Sequence, residues 1–520
     1  MIESFLLATY LVFLLILSVY ATHSYLILYY YFRRCRRKRK EGGDLVLESF
    51  PLVTVQLPVY NEKYVVARVF DSVLNLDYPK DRLEIQVLDD SDDETSFILR
   101  GLVERARGLG YNVFYYHRSE RRGFKAGALR EGLSFAKGEF IAIFDADFVV
   151  PRDFLKRTLP YFFASERIGA VQARWSHLNR EYSLLTEGQG LALDAHFLFE
   201  QDVKCSAGLF INFNGTCGVW RRKAIEEAGG WEDDTLTEDL DLSYRAQIKG
   251  YKILFLPDLS CPGELPIDVC GFKRQQFRWT KGGIEVARKL LGRVFSAPLP
   301  WRVKFFSFTH LTAPFAYLSL FFLSLLSFPI VQMKIKYTGG WMGDEFLLGS
   351  RGMVSFYFAF LSLFTLFVLP YPIIYILSYY RVCELEGKRR KGSFRWFLIA
   401  FLLIGGFVSL SLSNTIAVLS ALFGKRSEFS RTAKFSVVGK EGGIKDKKYL
   451  SPLSPLTWVE MGMGFYLLFT LMYSLVHLEL GLAPFLLVYA LGFLYLSFLA
   501  VMQYREVRFS LRKEVMGELT

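Results

Sequence analysis

"FIAIFDADF", residues 140 to 148, runs from an apolar stretch rich in Ile and Phe into two acids one residue apart, Asp145 and Asp147. A short apolar run of this kind predicts a buried strand, and the acids at its end predict a strand edge that faces a ligand. "LVTVQLPVY" (52–60), "LEIQVLDDS" (83–91) and "NVFYYHR" (112–118) repeat the pattern and predict three more strands. Helical stretches at 63–76, 94–108 and 124–136 separate them, so the alternation predicts an α/β domain with a parallel sheet covered on both faces. Ligands bind such sheets at the carboxyl ends of the strands. There lie "PVYNE" (58–62), "DDSDD" (89–93) and "DAD" (145–147).

Each of these clusters, taken singly, also suits a turn or a helix cap. Three acidic clusters at one edge repel one another unless a cation or donor groups offset them, which implies a divalent metal. Two carboxylates spaced DxD point to one side of an extended backbone. They offer hard oxygen ligands to Mg²⁺ or Mn²⁺, which keep open positions for phosphate. A metal-diphosphate site is the expectation.

The rest of the chain belongs in part to lipid, since 52% of its 520 residues are hydrophobic and 17% aromatic. Windows of roughly 20 apolar residues, enough for a helix to cross the hydrocarbon, occur at 4–32, 305–331, 353–379, 456–478 and 483–503. The first is read as a retained anchor, because the basic block "RRCRRKRK" (33–40) follows it where a signal peptide has its charge in front. By the positive-inside rule this block is cytosolic and the amino terminus is outside. Residues 396–422 also have the length of a span, but "GKRRKGSFR" before them and "GKRSEFSRTAK" after them are both basic. With Gly405-Gly406 inside, they read as a re-entrant or interface-lying pair of short helices. Arg288, Lys289, Arg293 and Arg302 among apolar residues make 283–302 an expected amphipathic interface helix.

The predicted organisation is therefore a terminal helix with its basic flank (1–40), a cytosolic domain (41–282), the interface helix (283–302) and two spans (303–380). A cytosolic or re-entrant segment (381–454) and two further spans with a cytosolic tail (455–520) complete it. The net charge of +12 gathers beside the apolar spans. That distribution suits anionic lipid and argues against a nucleic-acid partner. The 6 cysteines show no CxxC pair, so reduced structural thiols are expected.

"QLPVYNE", "VLDDSDDET", "GFKAGAL", "FDADF", "TEDLDLSYR" and "QQFRW", in this order over residues 50–280, resemble the inverting family-2 glycosyltransferases of the cellulose synthase and mannan synthase type. The resemblance implies a GT-A fold (a Rossmann-like mixed sheet), a nucleotide-sugar donor of the UDP-glucose or GDP-mannose class, and a growing glycan acceptor at a plasma-membrane enzyme. It makes Asp239 the base, with Glu238 and Arg278 as its catalytic companions. Asp147 becomes the chief metal ligand, with Asp145 shared between metal and nucleotide. Pro58, Tyr60, Glu62, Asp90, Lys125, Asp145, Gln275 and Arg278 would hold the donor. Trp279, Asn214, Gly215 and Thr216 would meet the acceptor, although Asn214 stands where the family has cysteine. "EFSRTAKF" (428–435) resembles the family's FxVTxK gating loop through Phe429, Thr432 and Lys434, with Arg431 in place of Val.

Chemistry supports several of these roles. A planar, permanently charged guanidinium suits a departing diphosphate, Trp279 offers a sugar a flat apolar face, and Lys125 precedes a helix in a Gly-containing loop suited to phosphate. Thr237 with the acids after it also reads as a helix cap. Two other functions compete with a processive β-glycan synthase: a glycosyltransferase acting on a lipid such as polyprenyl phosphate, and a non-catalytic channel or sensor. A sensor has no need of the base.

Overall fold

A computed structural model describes residues 1–35, 49–338, 350–387, 393–425, 431–444 and 451–517, with 47, 427, 429, 447 and 449. The basic flanks at 36–40 and 388–392 lie outside the described residues, as do positions 428 and 430 of the gating-like stretch.

Seven strands form one sheet: β1 (Val53–Val59), β2 (Leu83–Asp89), β3 (Asn112–His117), β4 (Phe140–Ile143), β5 (Ile168–His177), β6 (Gly218–Arg221) and β7 (Lys252–Gly263). Their order is β3-β2-β1-β4-β6-β5-β7. β1 pairs in parallel with β2 and β4, and β2 with β3, as the alternation predicts. β6 runs antiparallel to β4 and β5, which makes the sheet mixed. The inner strands are buried on both faces; β4 is wholly apolar, whereas β1 and β2 alternate Val, Ile and Leu with buried polar residues that pair across the strands, Thr54 with Glu84 and Gln56 with Gln86. One core packs Val69, Phe70 and Leu99 beneath β1 and β2; a second packs Leu129, Trp220 and Leu242 on the opposite side.

Four helices among the described residues are long and apolar enough to cross a membrane: Ile2–Arg33, Phe356–Leu385, Leu456–Val476 and Ala483–Arg508. Two bent pairs raise the number to 6 if each counts as one span. The expected span at 305–331 is one of them, since Trp301–Thr312 and Phe315–Leu325 meet at 54°. Pro314 at that break has no N–H to donate and its ring crowds the preceding turn. Ser393–Ser409 and Ser411–Leu422 form the other pair, bent by 45° at Leu410 rather than at Gly405-Gly406. Gly405 serves packing instead: a Cβ on Gly492 of the last helix would lie 2.1 Å from Gly405 O. Small residues let the two backbones touch.

The helix expected at 283–302 has other bounds. Residues 283–296 continue the 28-residue helix Val269–Ser296 that carries "QQFRW", and Trp301 and Arg302 open the next helix after Pro300. Gly282 and Gly283 lie inside this helix without ending it; a Cβ at Gly282 would lie 2.5 Å from Thr237 Cγ2, so that glycine allows close packing at some cost in helix propensity.

Candidate active site

The loops leaving β1, β2 and β4 lie side by side at the carboxyl edge of the sheet. After β1, Asn61 adopts φ 53°, in the left-handed region that Asn tolerates. Its amide donates to Asp92 Oδ1 (2.8 Å) and accepts from Asp92 N (3.1 Å), while Asn61 N donates to Ser91 Oγ (2.8 Å). Asn61 therefore fastens two loops, and its neighbours Pro58, Tyr60 and Glu62 line the cavity. The Arg121 guanidinium lies 3.2 Å from the centre of the Tyr60 ring, a cation–π pair. Of the acids at the end of β2, Asp89 is buried and accepts from Tyr115 Oη and Ser96 Oγ (both 2.6 Å), so its work is structural. Asp90 borders the cavity and accepts from Arg118 Nε (2.7 Å) and Nη2 (2.6 Å).

β4 ends at Ile143, and Phe148 N donates to Asp145 O (3.2 Å) to close a turn. The DxD pair therefore sits on a turn and not on extended backbone, and its two acids take different partners. Asp145 accepts from Lys125 Nζ (2.6 Å), and its own N–H donates to Thr216 Oγ1 (2.8 Å). Burial pushes the Asp145 carboxyl up, with Lys125 pulling the other way. Asp147 Oδ2 lies 2.7 Å from Lys434 Nζ.

The acids of "TED" open the helix Glu238–Ile248. Thr237 stands at its N-cap, yet its side chain makes no capping bond, so the capping role read from the sequence is absent. Burial, reinforced by neighbouring Glu238 and opposed by Lys125, pushes Asp239 up to about 7. Gly215 closes this side of the cavity at φ 78°, and a Cβ there would lie 3.0 Å from Asp239 Oδ2 and 3.4 Å from Lys125 Nζ. Only glycine combines that backbone with that clearance.

Gln275, Arg278 and Trp279 come from the helix Val269–Ser296, whose first turn is capped by Asp268 accepting from Gly271 N (2.6 Å). Burial lowers the pKa of Arg278, while Glu238, Asp145 and Asp239 hold it charged. The sequence thus converges two partly buried cations, Lys125 and Arg278, with three carboxylates.

The stretch after residue 428 lies across this cavity. The Phe429 ring stacks on Phe124 (5.9 Å between centroids) and lies under the Arg278 guanidinium (4.5 Å). Arg431 Nη1 pairs with Glu62 Oε1 at 3.1 Å. Burial pushes Glu62 up to about 8, against the pull of Arg431. Thr432 lines the cavity beside them. Glu264, which directly follows β7, accepts from Phe435 N (2.7 Å) and Val437 N (3.2 Å) and anchors the stretch. The cavity left beneath it is about 200 Å³.

Of the expected acceptor residues, Trp279, Asn214 and Gly215 border the cavity. Asn214 is held from both sides, by Gln201 Nε2 (2.6 Å) and His196 Nε2 (3.1 Å). Thr216, the fourth of them, is fully buried, and its hydroxyl accepts from Asp145 N at 2.8 Å. Glu264, Arg121 and the Arg431–Glu62 pair were missed in the sequence. Glu264 carried a signal, an acid straight after the Pro-Gly that ends a strand at the same sheet edge.

The residues fit a divalent cation at Asp147. The ammonium of Lys434 already stands there as an internal cation, and the carboxylates of the turn are hard donors of the kind Mg²⁺ and Mn²⁺ take. A second acidic group, Glu232, Asp234 and Asp241, has carboxylate oxygens close enough to share an ion. Lys289 Nζ fills it at 2.5, 2.7 and 2.9 Å, so a lysine already neutralises that cluster.

Comparison with known proteins places this geometry. The family model described as "Glycosyltransferase like family 2" matches residues 51–282. Glucomannan 4-beta-mannosyltransferase 1 of Oryza sativa subsp. japonica is 43% identical over 262 residues, 50% of this chain and 50% of that protein. Glucomannan 4-beta-mannosyltransferase 2 of Arabidopsis thaliana is 44% identical over 258 residues, 48% of each. The chain spans about half the length of the curated relatives it matches. Among solved structures, the mannosyltransferase PcManGT from Pyrobaculum calidifontis, in complex with GDP-Man and Mn²⁺, aligns over 81% of this chain and 100% of that one. The TM-score is 0.50 at 21% identity, a likeness of fold. With the sheet order above, the domain has the GT-A fold. Residues 51–282 are thus similar to the family-2 glycosyltransferases.

Proposed function

We propose that the chain is an inverting, processive hexosyltransferase that extends a β-linked mannan or glucomannan from GDP-mannose and passes it through the membrane. One observation carries the reading. Trp279 borders both the cavity of the carboxylates and a second cavity of about 690 Å³ among the apolar helices. A glycan end stacked on that indole would have Asp239 beside it and a path leading away from the reaction.

In this mechanism Asp239 takes the proton of the acceptor hydroxyl. The hydroxyl oxygen bonds to the anomeric carbon from the face opposite the diphosphate, and the bond to the diphosphate oxygen breaks. Arg278 and Lys125 meet the charge that develops on the leaving group. A divalent ion bound through Asp147 would supply Lewis-acid stabilisation of the same charge. Inversion of an α-linked donor gives the β linkage that the relatives' names state. Those names, at 43–44% identity, favour GDP-mannose over UDP-glucose.

The basic flanks support a cytosolic catalytic domain with the amino terminus outside, in the plasma membrane. The Arg431–Glu62 pair supports placing the stretch 428–435 on the catalytic side as a gate over the donor. The test is incubation of purified protein in nanodiscs with labelled GDP-mannose or UDP-glucose and Mn²⁺. High-molecular-weight product from GDP-mannose is the expected result; label recovered only in a lipid extract would overturn the reading.

A further inference from the structure

The carboxyl end of β5 borders the cavity of the carboxylates through Trp175 and His177, which share one face of the strand. β7 lies between this end and the DxD turn: Gly263 pairs with His177 in the sheet and bridges to Phe148, the residue after Asp147. Two strand spacings, about 10 Å, therefore separate His177 from the turn. The Trp175 ring packs on Phe148, at 5.2 Å between centroids.

Both side chains carry polar atoms without a partner. Trp175 Nε1 is buried and makes no hydrogen bond among the described residues. The His177 side chain is only 4% exposed; its Nε2 lies 3.3 Å from Asp194 Oδ1, yet neither atom completes a hydrogen bond. Such orphans are rare in folded proteins and call for a cause. Burial pushes the Asp194 carboxyl up, but the pull of Arg180 above all outweighs it and holds the group at about 2. An ionised carboxylate facing Nε2 favours the proton on that nitrogen, which leaves Nδ1 as an acceptor. A Cβ on Gly190 would lie 3.2 Å from His177 Cδ2, so the Cδ2–Nε2 edge faces the helix Leu184–Ala195. The Nδ1 edge is left to the cavity.

We infer that Trp175 and His177 hold the hydroxyl edge of the donor's hexose, with Asp194 as the positioning residue behind the imidazole. The inference rests on the reading above that the donor is a nucleotide-sugar, and adds where its sugar lies. Sheet order favours the sugar over the base. Tyr60, Asp90 and Arg121 stand on the loops after β1, β2 and β3, the metal acid follows β4, and β5 lies beyond it. A donor laid along this edge with its diphosphate at Asp147 has its base over the first group and its hexose against β5. The indole N–H donates and Nδ1 accepts, the two roles that sugar hydroxyls complement. The ionised Asp194 behind the ring disfavours a phosphate there, and an apolar ligand would leave both atoms unpaired.

The experiment is calorimetric binding of GDP-mannose and of GDP, each with Mn²⁺, to the full chain in nanodiscs. Trp175→Phe keeps the packing on Phe148 and removes the N–H, while His177→Phe keeps a ring and removes both nitrogens. Each is expected to weaken GDP-mannose about tenfold and to leave GDP unchanged. Asp194→Asn should show the same selective loss, and add none beside His177→Phe; a loss that persists there would remove its positioning role. Wild-type affinity for GDP-mannose in either folded ring variant, or an equal loss for GDP, would overturn the sugar wall. A wild type that binds UDP-glucose and not GDP-mannose would overturn the mannose reading alone, and the same selective loss for UDP-glucose over UDP would leave the wall standing. Binding of neither nucleotide-sugar would overturn both.

Discussion

Lys434 Nζ lies 2.7 Å from Asp147 Oδ2, in a pair that both burial and the overlying stretch shield from water. A loop cation thus holds the acid that the chemistry assigns to a divalent ion, and the two compete for one carboxylate. Lys434→Met is expected to tighten Mn²⁺ binding to nucleotide-free protein by roughly tenfold, about 1.4 kcal/mol. Electron paramagnetic resonance of free Mn²⁺ measures this; unchanged affinity would separate the lysine from the metal position.

Asp239, raised to about 7 by burial and Glu238, would serve as the proposed base only when ionised. The rate is therefore expected to climb as pH rises through about 7 and then level off. Asp239→Asn should lower turnover by about 10²–10⁴-fold with donor binding retained. Stability follows the opposite sign. A carboxyl whose folded pKa exceeds its unfolded value of 3.8 binds an extra proton when folded, and that stabilisation is lost as pH rises from about 4 through 7. Asp239→Asn should melt above wild type at pH 8, with the gap shrinking at pH 5.

Gly215→Ala sets a Cβ 3.0 Å from Asp239 Oδ2 at φ 78°. Strain of about 1–2 kcal/mol is expected from the backbone alone. The predicted outcome is a lower melting temperature together with a fall in turnover of roughly tenfold, which thermal unfolding and a donor-saturated assay separate.

Lys289 neutralises Glu232, Asp234 and the fully buried Asp241. Removing one partner of a buried charge cluster costs about 3–5 kcal/mol. Lys289→Met should destabilise the domain by an amount toward the lower end, since Arg245 still pairs with Asp241 at 2.6 Å. In wild type, titration with Mn²⁺ should show no high-affinity ion at this cluster.

The sheet edge was legible because strands end where Val, Ile and Phe give way to "PVYNE", "DDSDD" and "DAD", and "QQFRW" marks its helix without help from context. What the sequence hid depends on contacts between distant segments. Nothing local to Thr216 says that its hydroxyl holds Asp145, and nothing in "EFSRTAKF" says that Lys434 meets Asp147 rather than a phosphate. The basic residues after 282 resembled a separate interface helix because charge pattern reports exposure, whereas the helix Val269–Ser296 runs on through Gly282 and Gly283, where packing against Thr237 is not visible in the local sequence.

The central claim is that transfer at Asp239 feeds one chain through the passage beyond Trp279. The most direct test follows labelled mannotetraose primer with a small excess of GDP-mannose and Mn²⁺ in nanodiscs, resolving products by length at early times. A few long chains are expected while most primer is untouched. A ladder in which every primer grows by one or two units would contradict it.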